Sequence, residues 1–142
     1  RNAQHMKKVL VDTSVWIDAF NGKKNQHTHA LSQLIDDGAV VLCPPGIQEI
    51  LQGIKNDSDF RQVKENLSGF EVLALDPVEA AYGAAALYRS IRRKGITIRK
   101  SNDCLIAFYA ICCKAFLLHN DGDFDEIARF SLLDIVNVRS VT

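Results

Sequence analysis

The chain has 142 residues, and its 17 Lys plus Arg balance 17 Asp plus Glu, so no global field announces a polyanionic partner. An apolar fraction of 47% with 24% charged residues is that of a soluble globular protein, long enough for a real core. No apolar run approaches the roughly 20 residues that a membrane helix needs.

Arg1 to His5 reads as a cloning remnant before Met6-Lys7-Lys8, and residues 6–142 read as a single domain. Val9-Leu10-Val11 is a short, β-branched, wholly apolar run, as in a strand buried on both faces of a parallel sheet. Asp12 stands at its carboxyl end, and Thr13 and Ser14 are expected to cap a helix carrying Val15, Trp16 and Ile17. Ligands of open α/β sheets bind beyond the carboxyl ends of strands. Asp12 therefore either takes part in chemistry or only caps the helix.

Asn21-Gly22 ends this helix, and a polar loop leads to a second, with Ala30, Leu31, Leu34 and Ile35 at helical spacing up to Gly38. Val40-Val41-Leu42 reads as a second buried strand. Pro44-Pro45-Gly46 breaks it and opens a helix striped by Ile47, Ile50, Leu51 and Ile54. Glu49 falls off that stripe, facing either solvent or a pocket. A helix over 60–67 and a third strand over 70–73 follow. Asp76-Pro77 then starts a long helix, whose buried face is expected at Ala81, Ala84, Ala85, Tyr88 and Ile91. So many alanines imply close approach to another helix, within the monomer or across a dimer.

From Arg89 to Lys100 the charge is one-sided: Arg89, Arg92, Arg93, Lys94, Arg99 and Lys100, with no acid between Ala80 and Asn102. Such a run is either a solvated helix end or a phosphate-contacting patch, and its density favours the patch. Ser101-Asn102-Asp103 opens a helix with a predicted stripe of Cys104, Leu105, Phe108, Ile111 and Cys112. Ala115 to Leu118 is a fourth strand, running into His119-Asn120-Asp121-Gly122-Asp123-Phe124. A short helix to Phe130 and a last strand over 135–138 complete a parallel α/β sheet flanked by helices on both sides. Cys43, Cys104, Cys112 and Cys113 contain no C-x-x-C pair and read as buried reduced thiols.

Asp12 and Asp121 follow buried strands, and Glu49 and Asp103 stand on helices expected at the same edge. Two unit charges 4 Å apart cost about 4 kcal/mol at an effective dielectric of 20. Carboxylates brought together therefore need protons or a divalent cation, and oxygen-only ligands select Mg²⁺, with Mn²⁺ able to substitute. Neither a Walker A loop nor G-x-G-x-x-G is present, so no nucleotide delivers the metal through those devices. With a basic patch nearby, the chemistry that fits is metal-assisted phosphodiester hydrolysis.

Four stretches together resemble the PIN-domain ribonucleases, and more narrowly the VapC-type toxins of bacterial toxin–antitoxin pairs. They are Val-Leu-Val-Asp12-Thr-Ser-Val-Trp-Ile-Asp, the helix bearing Glu49 with Gly53, Asn102-Asp103-Cys-Leu-Ile-Ala, and Leu-Leu-His-Asn-Asp121-Gly-Asp123-Phe. The resemblance implies a PIN fold and a cytoplasmic, Mg²⁺-dependent endoribonuclease acting as a homodimer and neutralised by a VapB-like antitoxin. It implies catalytic roles for Asp12, Glu49, Asp103 and Asp121. Metal ligation falls to Asp12, Asp103 and Asp121, with Glu49 and Asp123 as candidate additions, and Ser14 supplies a pocket hydroxyl. Asp123 either joins the metal shell or caps the helix at Phe124, and capping is the expectation. Cys104 stands where the family often has alanine. His119 stands where it often has threonine, and reads as a strand-end spacer rather than a base.

Three other readings compete. A receiver domain wants a paired acid near its start and a lysine after a late strand, and the chain's last strand has none. A haloacid-dehalogenase-type phosphatase wants D-x-D, against Asp12-Thr13-Ser14 here. A catalytically silent PIN-fold RNA-binding module is opposed by the complete set of four acids.

Overall fold

A computed structural model describes residues 7–140; the expected cloning remnant at 1–5 lies outside the described residues. Four short strands, β1 (Val9–Val11), β2 (Val40–Leu42), β3 (Glu71–Val72) and β4 (Phe116–Leu118), form one sheet in the order β3-β2-β1-β4. Every pairing is parallel, with Val9 opposite both Val40 and Phe116, and Val41 opposite Glu71. All carboxyl ends therefore share one edge. From β1 the chain builds outward to β2 and β3 on one side and returns to β4 on the other. The residue after β1, Asp12, thus stands at the point where the strand order reverses.

Alternation along β1 divides the interior. Val9 and Val11 join Val15, Trp16, Leu31, Leu34, Ile50, Val63 and Leu67 on one face. That face is covered by α1 (Thr13–Phe20), α2 (Gln26–Asp36), α3 (Pro44–Gln52) and α4 (Asp57–Leu67). Leu10 packs on the other face with Ile91, Ile106, Leu117, Phe124 and Ile127. These come largely from α5 (Pro77–Arg92), α6 (Asn102–Cys112) and α7 (Gly122–Arg129). Helices therefore flank the sheet on both sides, as the sequence pattern implies.

Several elements differ in detail from the expectation. The predicted last strand over 135–138 reduces to one parallel bridge between Ile135 and Leu117. The chain then turns at Asn137, whose Oδ1 accepts from the Arg139 N–H at 3.0 Å, into a 3₁₀ turn over Val138–Ser140. The third strand shortens to two exposed edge residues, and α4 begins at Asp57, where the Asn56 side chain caps it. On α5 the predicted face is rotated: Ala80 and Ile91 are buried, whereas Ala81 and Ala85 are exposed. The rotation follows from Gly83. A Cβ there would meet the Phe108 ring at 2.0 Å, so α5 lays its glycine against α6 and turns the alanines outward. Ile35 is also exposed. Cys43 and Cys104 are buried thiols as expected, but Cys112 is exposed and Cys113 half-buried, because α6 ends there. No helix among the described residues is long and apolar enough to cross a membrane.

Candidate active site

The site is assembled from the turns that leave β1 and β4 and from the amino-terminal end of α6, with one side chain reaching in from α3. Asp12 is only 4% exposed and caps α1. Its Oδ2 accepts from the Ser14 hydroxyl at 2.7 Å and the Ser14 N–H at 3.3 Å. The expected cap by Thr13 and Ser14 is therefore replaced by Asp12 itself, leaving both hydroxyls free to serve carboxylates. The Asp12 main-chain N–H donates to Leu118 O at 2.9 Å, tying this turn to β4. Burial pushes the Asp12 carboxyl above its ordinary range against the Ser14 hydrogen bonds, and the charge of Glu49 adds to the rise.

Glu49 is partly buried and faces the pocket. The Thr13 hydroxyl donates to its Oε1 at 2.8 Å, and the Asn102 amide to its Oε2 at 2.6 Å. One carboxylate thus joins α3 to the starts of α1 and α6. The sequence offered Thr13 only as a helix cap and Asn102 only as part of the start of α6; their support of Glu49 did not show there.

Asp103 lies in the first turn of α6 and is 1% exposed. Its Oδ2 is buried without a hydrogen-bond partner. Burial pushes its carboxyl up to about 7; Lys100 opposes the rise, and Asp12, Asp121 and Glu49 reinforce it. The four acids named from sequence therefore stand within one another's fields.

Asp121 caps α7, its Oδ1 accepting from the Asp123 N–H at 3.0 Å. Lys100 Nζ lies 3.4 Å from its Oδ2, and Arg99 Nη2 lies 3.7 Å from its Oδ1. Burial would raise this carboxyl, but the Asp123 N–H, Lys100 and Arg99 together hold it below its ordinary value. Asp123 does not cap the helix, since Asp121 does. Its Oδ2 instead accepts from the Arg99 N–H at 3.2 Å and faces Arg99 Nε at 3.5 Å. His119 Nδ1 accepts from the Asp121 N–H at 3.0 Å, and its Nε2 faces Asp125 at 3.1 Å. Burial lowers its basicity against Asp125, so the ring is a neutral brace for the turn that carries Asp121.

Among the described residues no three His, Cys, Asp or Glu side chains form a ready-made metal cage. The donor chemistry nevertheless fits a hard divalent cation. All candidate ligands are carboxylate oxygens, Asp12, Asp121 and Glu49 all raise the proton affinity of Asp103, and one buried oxygen of Asp103 is unsatisfied.

The PIN domain family model matches residues 9–130, spanning both sheet faces and all four acids. The chain belongs to the PIN-domain family. It is 35% identical over 133 residues to the VapC ribonuclease Mb1587 of Mycobacterium bovis, covering 92% of this chain and 99% of that protein. Ribonuclease VapC11 of Mycobacterium tuberculosis matches with the same identity and coverage, which makes this PIN domain one of the VapC type. A structure of VapBC2 from Rickettsia felis bound to promoter DNA superposes with a TM-score of 0.72 at 22% identity, covering 91% of this chain and 97% of that one. DNA-bound VapBC from Salmonella typhimurium gives 0.73 at 21% identity, covering 94% and 99%. At these identities the two structures establish the fold.

The basic stretch divides in this PIN domain. Arg99 and Lys100 turn to Asp121 and Asp123, as described above. Arg89 and Arg92 end α5, followed by Arg93 and Lys94, and among the described residues none of the four is ion-paired to a carboxylate. Arg92 lies over the Tyr88 ring at 5.6 Å, and Lys94 over Phe130 at 5.9 Å.

Proposed function

We propose that this PIN-domain chain is a Mg²⁺-dependent endoribonuclease, a toxin neutralised by a VapB-like antitoxin. The observation that carries the reading is the carboxylate pocket at the sheet's switch point, with the buried, unsatisfied Asp103 oxygen at its centre. The ribonuclease names of two relatives that span nearly the whole chain support it.

Asp12, Asp103 and Asp121 would hold the ion, with Glu49 beside them. Bound there, Mg²⁺ would polarise a phosphodiester, lower the pKa of a water and steady the leaving oxygen. The chain's own residues prepare the ground. Ser14 fixes the rotamer of Asp12, Thr13 and Asn102 orient Glu49, and His119 braces the turn before Asp121. Asp123 holds Arg99 and stands outside this set. Arg89, Arg92, Arg93 and Lys94 would receive RNA phosphates, a contact that reads backbone rather than sequence.

The partners follow from the same surfaces. VapBC complexes among the solved structures of this fold support a VapB-like antitoxin, and a groove lined by Ile17, Phe20, Ile50, Ile54 and Val63 offers an apolar seat for its helix. A basic side chain of that antitoxin would enter the acidic pocket, so its affinity should fall as Mg²⁺ rises. The outward face of α5, with Val78 55% and Tyr82 68% exposed beside its alanines, suits a homodimer contact. The proposed setting is the cytoplasm of a bacterium or archaeon.

The test is incubation of the purified chain with a panel of unrelated RNAs in Mg²⁺, in Mn²⁺ and in EDTA. Cleavage is expected in either metal, none in EDTA, and none with Asp12→Asn or with excess antitoxin. Cleavage that persists in EDTA would overturn the metal reading. RNA binding without cleavage in any metal would make the chain a silent binding module.

A further inference from the structure

Lys100 was grouped by sequence with the phosphate-contacting bases, yet its ammonium lies 3.4 Å from Asp121 Oδ2, inside the acidic site. Its carbonyl accepts the Asp103 N–H at 2.9 Å, so the residue is anchored to the first turn of α6. Asp103, Asp121 and Asp12 all favour its charged form. Its side chain is 61% exposed, whereas that of Asp121 is only 13% exposed. The arm can therefore leave Asp121 for water without uncovering apolar surface, and the carboxylate it leaves behind needs another cation.

We infer that Lys100 is an internal counter-cation of the carboxylate pocket, holding at Asp121 the place that a divalent ion must take. A metal at Asp121 and the Lys100 ammonium there are then mutually exclusive, because two cations cannot share one acceptor edge at such distances without repelling. Metal loading requires the arm to swing outward, and the metal-free site is kept from flying apart by a charge that the chain itself carries. Arg99 cannot substitute fully, since its side chain is shared between Asp121 at 3.7 Å and Asp123 at 3.5 Å. The competition with metal rests on the metal-pocket reading; the counter-cation role does not.

Two measurements on the full chain separate these parts. In the first, Mn²⁺ binding is followed by electron paramagnetic resonance for the wild type, Lys100→Met and Lys100→Arg. Lys100→Met, which keeps the arm's length and removes its charge, should bind Mn²⁺ about five- to tenfold more tightly, and Lys100→Arg should stay near the wild type. In the second, thermal unfolding is recorded in EDTA at pH 8. Lys100→Met should lower the midpoint by about 1–3 °C, and should cost markedly less when Asp121→Asn is already present. Equal Mn²⁺ affinity in wild type and Lys100→Met would overturn the competition while leaving the metal pocket intact. No Mn²⁺ binding by any form, with the EDTA coupling preserved, would overturn the metal reading and leave the counter-cation. Additive costs of Lys100→Met and Asp121→Asn would overturn the counter-cation itself.

Discussion

The two halves of the carboxylate pocket restrain the same chemical group in opposite ways. On the side built from β1 and α3, Asp12 and Glu49 are held by neutral donors: the Ser14 hydroxyl and N–H, the Thr13 hydroxyl and the Asn102 amide. On the side built from β4 and α7, Asp121 and Asp123 are held by the cations Lys100 and Arg99, on side chains 61% and 75% exposed. Neutral donors fix direction without bringing a compensating charge, so the first half presents firmly oriented oxygens that no cation of the chain neutralises. Cations remove charge on flexible arms, so the second half is compensated and adjustable. Asp103 feels the charges of both halves yet is bonded to neither, its Oδ2 buried with no donor.

That contrast makes Asp103 the most damaging place to intervene. Asp103→Asn, like Asp12→Asn, should reduce metal-dependent RNA cleavage by more than about 100-fold, since orienting partners of metal ligands alone are worth 10–100-fold. Folding should be intact by circular dichroism. A folded Asp12→Asn protein with near wild-type cleavage would remove the neutral-donor half from the chemistry.

The stability of the metal-free protein should report the same oxygen. Asp103 has a folded-state pKa of about 7, raised by burial from an ordinary 3.8. A raised acid favours the protonated folded state, so its contribution is best below the unfolded value and is lost as pH climbs through 7. Between pH 4 and 8 the loss should be about 2–4 kcal/mol, the worth of a shift of this direction and size. Denaturant unfolding in EDTA should show it, and Asp103→Asn should be more stable than wild type at pH 8 but not at pH 4. A wild-type protein equally stable at both pH values, relative to that variant, would mean the pocket hydrates Asp103.

The neutral-donor half can be loosened without touching an acid. Asn102→Ala or Thr13→Val removes one support of Glu49 and should cost about 10-fold in kcat, up to about 100-fold for both together. Thr13→Ser, which keeps the hydroxyl, should recover most of the loss. If Thr13→Ser behaves like Thr13→Val, the methyl packing matters rather than the hydrogen bond.

Much of this architecture is legible in the sequence because the signals are local. Short apolar runs gave β1, β2 and β4, the last one residue too long at its start, and Asp76-Pro77 gave the start of α5 to the residue. Asp12, Asp103 and Asp121 were legible because each follows a strand or opens a helix, and Glu49 because it falls off the apolar stripe of its helix. What escaped depended on contacts between distant segments. The inward direction of Glu49 is decided by Thr13 and Asn102, 36 and 53 residues away. The face of α5 was misjudged because alanine fits either side of a helix. Gly83, which fixes the face through Phe108, gives no periodic signal. Likewise no local pattern tells Lys100 from Arg93; only the return of β4 beside β1 brings Asp121 to it.

The smallest expected effect tests that last distinction directly. RNA binding measured in EDTA, where no cleavage intervenes, should depend on salt through every base that meets a phosphate. Arg89 and Arg93 have no ion pair among the described residues, and Arg92 rests on an aromatic ring, so all three are available. Replacing the three with alanine should weaken binding uniformly across RNA sequences and reduce the slope of log K against log salt by about 2. Lys100→Ala should change that slope by less than about 0.5, because in the metal-free protein its charge is already spent on Asp121. An equal loss of slope from Lys100→Ala would mean that the ammonium leaves the pocket for phosphate without any metal to displace it. An unchanged slope in the triple variant would return the end of α5 to an ordinary solvated helix terminus.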